Sequence, residues 1–271
     1  MSRVSSYSYI GRENFDELLY FPVSKHDVYV DNLLVSGKKA IVNDESGNVI
    51  EIVGPSYQIV LHRDVVEQFN DALDEISRNG GLHFLHRATA IERAGARMFR
   101  EYNTGYSFIV SGTAISPVLC IKNSYDKSLA CSSDVYCTVI GDDGKEINLF
   151  SDIQLSFKHS TNMKLTTLVR NLTEAIERIK NHEKIWKEWD KEGYSTIDLL
   201  VDTQTLKDLL GPALSERFQE KIMATKLIRV FTKWQLFKCF CDTLFNEMND
   251  KTRRSSIISN ARKIFYVKST N

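Results

Sequence analysis

Cations interleaved with aromatic rings are the residues whose types and spacing first suggest chemistry in this chain. Proteins that hold single-stranded nucleic acid combine a cationic groove with rings on which bases stack. On a strand from Arg97 to Tyr102, alternation puts Met98, Arg100 and Tyr102 on one face and Arg97, Phe99 and Glu101 on the other. Tyr106 and Phe108 follow the Asn103-Thr104-Gly105 turn, so a hairpin here would give a base platform of Tyr102, Tyr106 and Phe108. Further on, Lys221, Lys226, Arg229, Lys233 and Lys238 occur with no acid between Glu220 and Asp242. They are interleaved with Phe231, Trp234 and Phe237. On one long helix Lys226, Arg229 and Lys233 share a face, while Leu227, Phe231, Trp234 and Leu244 share another. The plainer reading of that helix is a solvated cationic side and an aromatic side packed in the core. At the C-terminus Arg262, Lys263 and Lys268, with Phe265 and Tyr266 among them, suit phosphate contacts or docking to a protein.

Other chemistries find less support. Cys239 and Cys241 sit two apart on a predicted helix, about 200° around its axis, so they cannot share an ion. His83 and His86 have no neighbours that would complete four ligands, and there is no CxxC or HxxxH pair. The chain has no GxxxxGK[ST], and Gly105 to Gly112 lacks the glycines and the strand-to-helix context of a dinucleotide loop. Ser111 and Cys137 have no nucleophile elbow around them, and Asp142-Asp143 lies in a Gly-bounded turn where aspartate is expected. The residues therefore propose no catalytic site, no metal and no cofactor.

Composition bounds the setting. The 271 residues are 42% hydrophobic and 26% charged, which allows one large or two modest domains with a substantial core. No apolar run is long enough to span a membrane, and the N-terminus lacks the apolar stretch of a signal peptide. Five irregularly spaced cysteines are then expected to stay reduced, in a cytoplasmic setting. The net charge is zero but unevenly spread. From Lys221 onward eleven Lys/Arg face three acids, a balance of +8, so the first 220 residues carry −8. Such asymmetry suits a basic, partner-binding end on an acidic body.

The elements that would position these residues follow from periodicity. Val28–Val30, Lys39–Val42, Val49–Val53 and Tyr57–Leu61 read as strands. A helix is predicted over Arg63–Ser77, where Val65, Val66, Phe69, Leu73 and Ile76 recur at helical spacing. Strands return over 82–123, and again at Ser132–Ile140 and Ile147–Phe157. The last 110 residues read as helices, from Leu165 to Trp189, from Ser195 to Leu210 and from Glu216 to about Met248. The fold class is α+β: a mixed or antiparallel sheet with one early helix, followed by a helical C-terminal part. The expected division is a strand-rich core over 1–160, a helical region over 161–254, and a basic, loosely tied tail over 255–271.

Three motifs occur in an order that resembles a phage- and plasmid-borne family of unknown function, the phage/plasmid-like proteins. They are Val53-Gly54-Pro55-Ser56-Tyr57, then Asn123-Ser124-Tyr125-Asp126-Lys127-Ser128, then His159-Ser160-Thr161-Asn162 before a leucine-rich helix. Lys127 stands where that family usually has glycine, and the next expected element is reduced to Val135-Tyr136-Cys137-Thr138. The resemblance covers residues 28–180 and implies a mobile-element origin near DNA metabolism. The leading expectation is a non-catalytic, single-stranded nucleic-acid-binding accessory protein of replication, recombination or transcription, DNA before RNA, in an infected bacterial host. The alternative is a protein-binding effector that engages a polymerase or similar enzyme through its basic C-terminus, and a third is an enzyme of unrecognised type. All three motifs also have a structural reading, as a tight turn and two braced loops.

Overall fold

β-Branched runs bounded by turn residues fold as antiparallel strands, and apolar residues at helical spacing fold as helices. The structure is a computed structural model. It describes residues 20–271 except 81, 94, 142–143, 145, 158–164, 227–230, 249–256, 259, 262–263 and 266–271. Of residues 150–157, 165–166 and 225–226 only the backbone is described. Strands β1 (Val23–Val30), β2 (Leu33–Asn43) and β3 (Val49–Val53) form a three-stranded sheet in chain order. Helix α1 (His62–Gly80) follows. Strands β4 (Leu85–Glu92), β5 (Arg97–Asn103), β6 (Phe108–Val110), β7 (Thr113–Ser124), β8 (Cys131–Ile140) and β9 (Glu146–Phe157) form a second sheet. Its order is β4-β5-β7-β8-β9, with β6 on β7. Helices α2 (Leu165–Lys191), α3 (Thr196–Leu210), α4 (Pro212–Lys226) and α5 (Lys233–Glu247) complete the described elements. The chain is an α+β protein.

Two groups of residues make two compact units, interleaved along the chain. The first takes Met1–Gly105, Val118–Asp134 and Gln154–Glu174; the second takes Tyr106–Pro117, Val135–Ile153 and Ala175–Asn271. In the first, α1 buries Val65, Val66, Phe69, Ala72, Leu73 and Ile76, the stripe that its sequence predicts. The three-stranded sheet builds a small core from Phe21, Ile41, Val53 and Tyr125. In the second, all three tryptophans of the chain, Trp186, Trp189 and Trp234, are buried beside Phe237 and Phe265. Their rings meet at centroid distances of 5.2 to 6.1 Å, among them Trp186–Trp234 at 5.4 Å and Phe237–Phe265 at 5.2 Å. Offset and edge-on pairs of this kind add to the area they bury.

Four expectations about local structure are corrected. Residues 97–102 do not form a hairpin with Tyr106 and Phe108. β5 pairs instead with β4 and β7, and β6 makes its hairpin with β7 across Ser111 and Gly112, both at positive φ. The chain turns away at Gly105, whose φ is 66° and where a Cβ would stand 2.7 Å from the His83 carbonyl oxygen, so no side chain fits. Tyr57–Leu61 is not a strand, because the Tyr57 N–H closes a turn on the Gly54 carbonyl and the chain enters α1 directly. The long helix over 216–248 is two helices. Thr232 caps α5 with a reciprocal Thr232–Gln235 box and is itself extended, and residues 231–233 pair with residues 192–194. The C-terminal residues are also more firmly held than expected. Ile257, Ile258 and Ala261 are buried, and Phe265 is 0% exposed against Trp189, Phe237 and Phe240.

Phe265→Ala removes a whole ring from that cluster, so it should lower stability by about 3–5 kcal/mol in urea unfolding followed by circular dichroism. A loss below about 1 kcal/mol would place Phe265 outside the core.

Candidate functional site

The two motifs that fall on described residues meet in the first unit. Asn123 is fully buried on β7. Its Nδ2 donates to the Val60 carbonyl at 2.9 Å and to His62 Nδ1 at 2.9 Å. His62 donates from Nε2 to the Gly95 carbonyl at 3.0 Å, which fixes the tautomer with Nδ1 as acceptor. The Tyr125 hydroxyl accepts the His62 backbone N–H at 2.9 Å, and the two rings stack 4.0 Å apart. Tyr57, on the Gly54 turn, packs against the same core as Tyr125 and donates to the Ser124 carbonyl at 3.4 Å. Burial lowers the His62 pKa to about 4, a shift the Gly95 bond only partly offsets. Protonation would set Nδ1–H against Asn123 Nδ2, and the amide could accommodate it only by turning and losing Val60. The first two motifs are thus a turn and a braced strand end. The His159 element lies outside the described residues.

Asp126 closes the same loop. Its carboxylate, almost fully buried, accepts Arg93 Nη1 at 2.9 Å, Arg97 Nε at 3.2 Å, and both the N–H and the hydroxyl of Ser128. Burial alone would raise this carboxyl, but the Ser128 bonds and the two guanidinium groups hold it below the usual range. Lys127 takes a φ of 58° and reaches the Ile52 carbonyl with Nζ at 2.9 Å. That left-handed conformation is what a glycine adopts without strain.

The residues expected to contact nucleic acid are not brought onto one surface. Arg97 is tied to Asp126 and Ser128. Arg100 points to the α1 side of the sheet, where Nε donates to the Tyr102 hydroxyl at 2.8 Å and Nη1 to Thr89 at 3.4 Å. His86 bonds the same Thr89 hydroxyl at 2.9 Å. Tyr102 is corrected from platform to core: it is 4% exposed, and its hydroxyl donates to Asn70 of α1 at 2.7 Å. Phe108 is buried too, so no open face remains on either ring for a base. Tyr106 belongs to the second unit, half-buried, bonded to Glu183 and tilted against Phe108. Burial and the Glu183 carboxylate push its phenol up to about 12.

Lys233 is corrected from the solvated face to the interior. It opens α5, and its Nζ lies 5.3 Å over the Trp189 ring and 3.7 Å from Glu192. The backbone pairing of Lys233 with Glu192 turns its stem inward. Lys226 ends α4, so it does not share a helix with Lys233. Arg229, Arg262, Lys263 and Lys268 lie outside the described residues. Among the described residues no group of His, Cys, Asp and Glu is placed to hold a metal ion, and no helix is long and apolar enough to cross a membrane. All five cysteines are free thiols.

Two exposed apolar surfaces are what sequence reasoning missed. One is the ribbon tip of β1 and β2, with Tyr29, Val30, Leu33 and Leu34 between 56% and 74% exposed. The other is on α3, with Ile197, Leu200 and Val201 exposed. Both were visible in sequence as apolar residues in excess of one face: Val28-Tyr29-Val30 and Leu33-Leu34-Val35 do not alternate, and Ile197, Leu200 and Val201 fall off the stripe of Leu199, Leu206 and Leu210. No family model matches this chain, and comparison with curated proteins and with solved structures gives no significant match.

His62 and His182, each buried and each lowered to about 4, give an acid-side stability loss. Unfolded histidine binds its proton near pH 6.5, so between about 6.5 and 4 the unfolded chain holds more protons. Stability from these groups is complete above about 6.5 and falls as the pH drops toward 4, by about 1.4 kcal/mol per pH unit for each. His62→Gln should remove one proton of that slope in unfolding measured across pH 4 to 7. An unchanged slope would show that His62 is not held neutral.

Proposed function

We propose that this protein is a non-catalytic binding protein that engages an extended segment of a protein partner through the β1–β2 ribbon. The observation that carries this reading is the tip itself. Within residues 28–35, Val28-Tyr29-Val30 and Leu33-Leu34-Val35 flank a two-residue turn, Asp31-Asn32, with φ of 49° and 63°. Positive φ at both positions is the hairpin turn that matches strand twist, so the apolar residues are presented on a preformed ribbon. Val30 pairs with Leu33 and Tyr29 with Leu34, which puts apolar side chains on both faces. The ribbon runs past β3, whose pairing with β2 reaches only Lys39. Including Val49 and Ile52, six of the thirteen exposed large hydrophobics among the described residues fall within residues 29–52, a concentration that surfaces carry for a partner.

The chemistry of the partner follows from the ribbon's edges. β1 is an edge strand among the described elements, so its outward N–H and C=O groups are available to an added strand. A lipid surface would leave those groups unpaired and would take Asp31, at the apex, deepest into the bilayer. A protein segment in extended form meets both needs, with backbone bonds along the edge and apolar side chains over the faces. Of the surfaces considered for nucleic acid, the ring platform is closed, and this favours the protein-binding reading over the single-stranded DNA or RNA one.

The test uses displayed random peptides against the parent chain and a Val30→Ser/Leu33→Ser variant. Both positions are exposed, so thermal stability should stay within about 0.5 kcal/mol. Peptides rich in β-branched residues should be enriched on the parent and lost on the variant. Equal capture by both proteins would overturn the reading. So would loss of single-stranded DNA binding in the variant with no peptide selected, which would assign the ribbon to nucleic acid.

A further inference from the structure

We infer that the outward face of α3 is a second docking site, for a cationic amphipathic helix of a protein partner. It concerns residues of the second unit and stands independently of the ribbon. Ile197, Leu200 and Val201 are spaced i, i+3 and i+4, so they form one patch on one side of the helix. They are between 54% and 74% exposed. The helix already buries Leu199, Leu206 and Leu210 on its other side, so the outward patch is not needed for its own packing. Both ends are fixed: the Ser195 hydroxyl accepts the Asp198 N–H, and the Gly211 N–H bonds the Lys207 carbonyl. The patch therefore sits on a regular, capped helix.

Charge and backbone chemistry select the occupant. The exposed charged residues of α3 are both acidic, Asp198, which also accepts the Ser195 hydroxyl at 2.5 Å, and Asp208, while Lys207 is half-buried and Asp202 is buried and bonded to Tyr194. Gln204 and Asp208 continue the apolar stripe down the helix and are bonded to each other at 3.1 Å. A helix surface offers no open backbone edge, so a partner lying on it must satisfy its own backbone bonds, as another helix does. Apolar residues in the middle, with one cation at the margin and one further along, would match Ile197, Leu200 and Val201 with Asp198 beside them and Asp208 down the stripe. A second copy docking through the same face would bring like charges together about a two-fold axis, and an anionic membrane would meet the same repulsion.

The test is fluorescence anisotropy with two labelled synthetic helices of identical leucine pattern, one with lysines on its polar face and one with glutamates. The parent chain should bind the lysine peptide about tenfold more tightly, the equivalent of two modest ion pairs. Ile197→Ser/Leu200→Ser should lose binding of the lysine peptide while the circular dichroism spectrum stays unchanged. Asp198→Lys/Asp208→Lys should reverse the preference toward the glutamate peptide, which simple stickiness cannot do. Equal binding of both peptides by the parent, or an unreversed preference in the charge variant, would overturn the inference. So would a parent dimer in sedimentation that Ile197→Ser/Leu200→Ser dissolves, since the occupant would then be a second copy.

Discussion

A neutral imidazole, buried between a carbonyl and an amide, holds the first unit together. His62 opens α1, and its ring bridges the Gly95 carbonyl before β5 to Asn123 on β7. Asn123 passes the connection to Val60, and Tyr125 covers the ring while accepting the His62 N–H. One side chain thus fixes the start of the helix, the approach to one strand and the end of another. In a low-dielectric interior each of these bonds is worth more than in water, and an unmade one costs more. The cost of this arrangement is that the ring must stay uncharged.

Around that knot, charge is used for bracing rather than for reaching outward. Arg93 and Arg97 both reach Asp126, and Lys122 pairs with Asp134. In the second unit Lys233 lies under Glu192 and over Trp189. Among the described residues, Arg97, Arg100 and Lys233, which look free in a linear reading, are held by partners within their own unit. Exposed apolar side chains, collected on the ribbon and on α3, then become the surfaces that the fold leaves unanswered.

Periodicity carried the α+β order and the apolar stripe of α1, because each depends on residues near in sequence. Pairing between strands did not follow, since β5 chooses β4 and β7 by contacts distant along the chain. The break before α5 was legible in principle, as Thr232 and Gln235 spell a capping box, but the aromatic run around it reads equally as one continuous helix. The candidate site was the least legible part. Tyr102 and Lys233 have the composition of a binding surface, and only the packing of α1 on β5 and of residues 192–194 against 231–233 shows them turned inward. The unpaired apolar surfaces left a trace in the sequence, as apolar residues in excess of one face, but only the neighbours in the fold show which of those residues stay exposed.

The placement of the tryptophans has an optical consequence. All three belong to the second unit, within one ring cluster, and the first unit has none. Indole emission therefore reports on the cluster around Phe237 and Phe265, while backbone circular dichroism reports on the strands and helices of both units. A difference between the two melting curves would show the interleaved units unfolding in sequence, and no attached label is needed to see it.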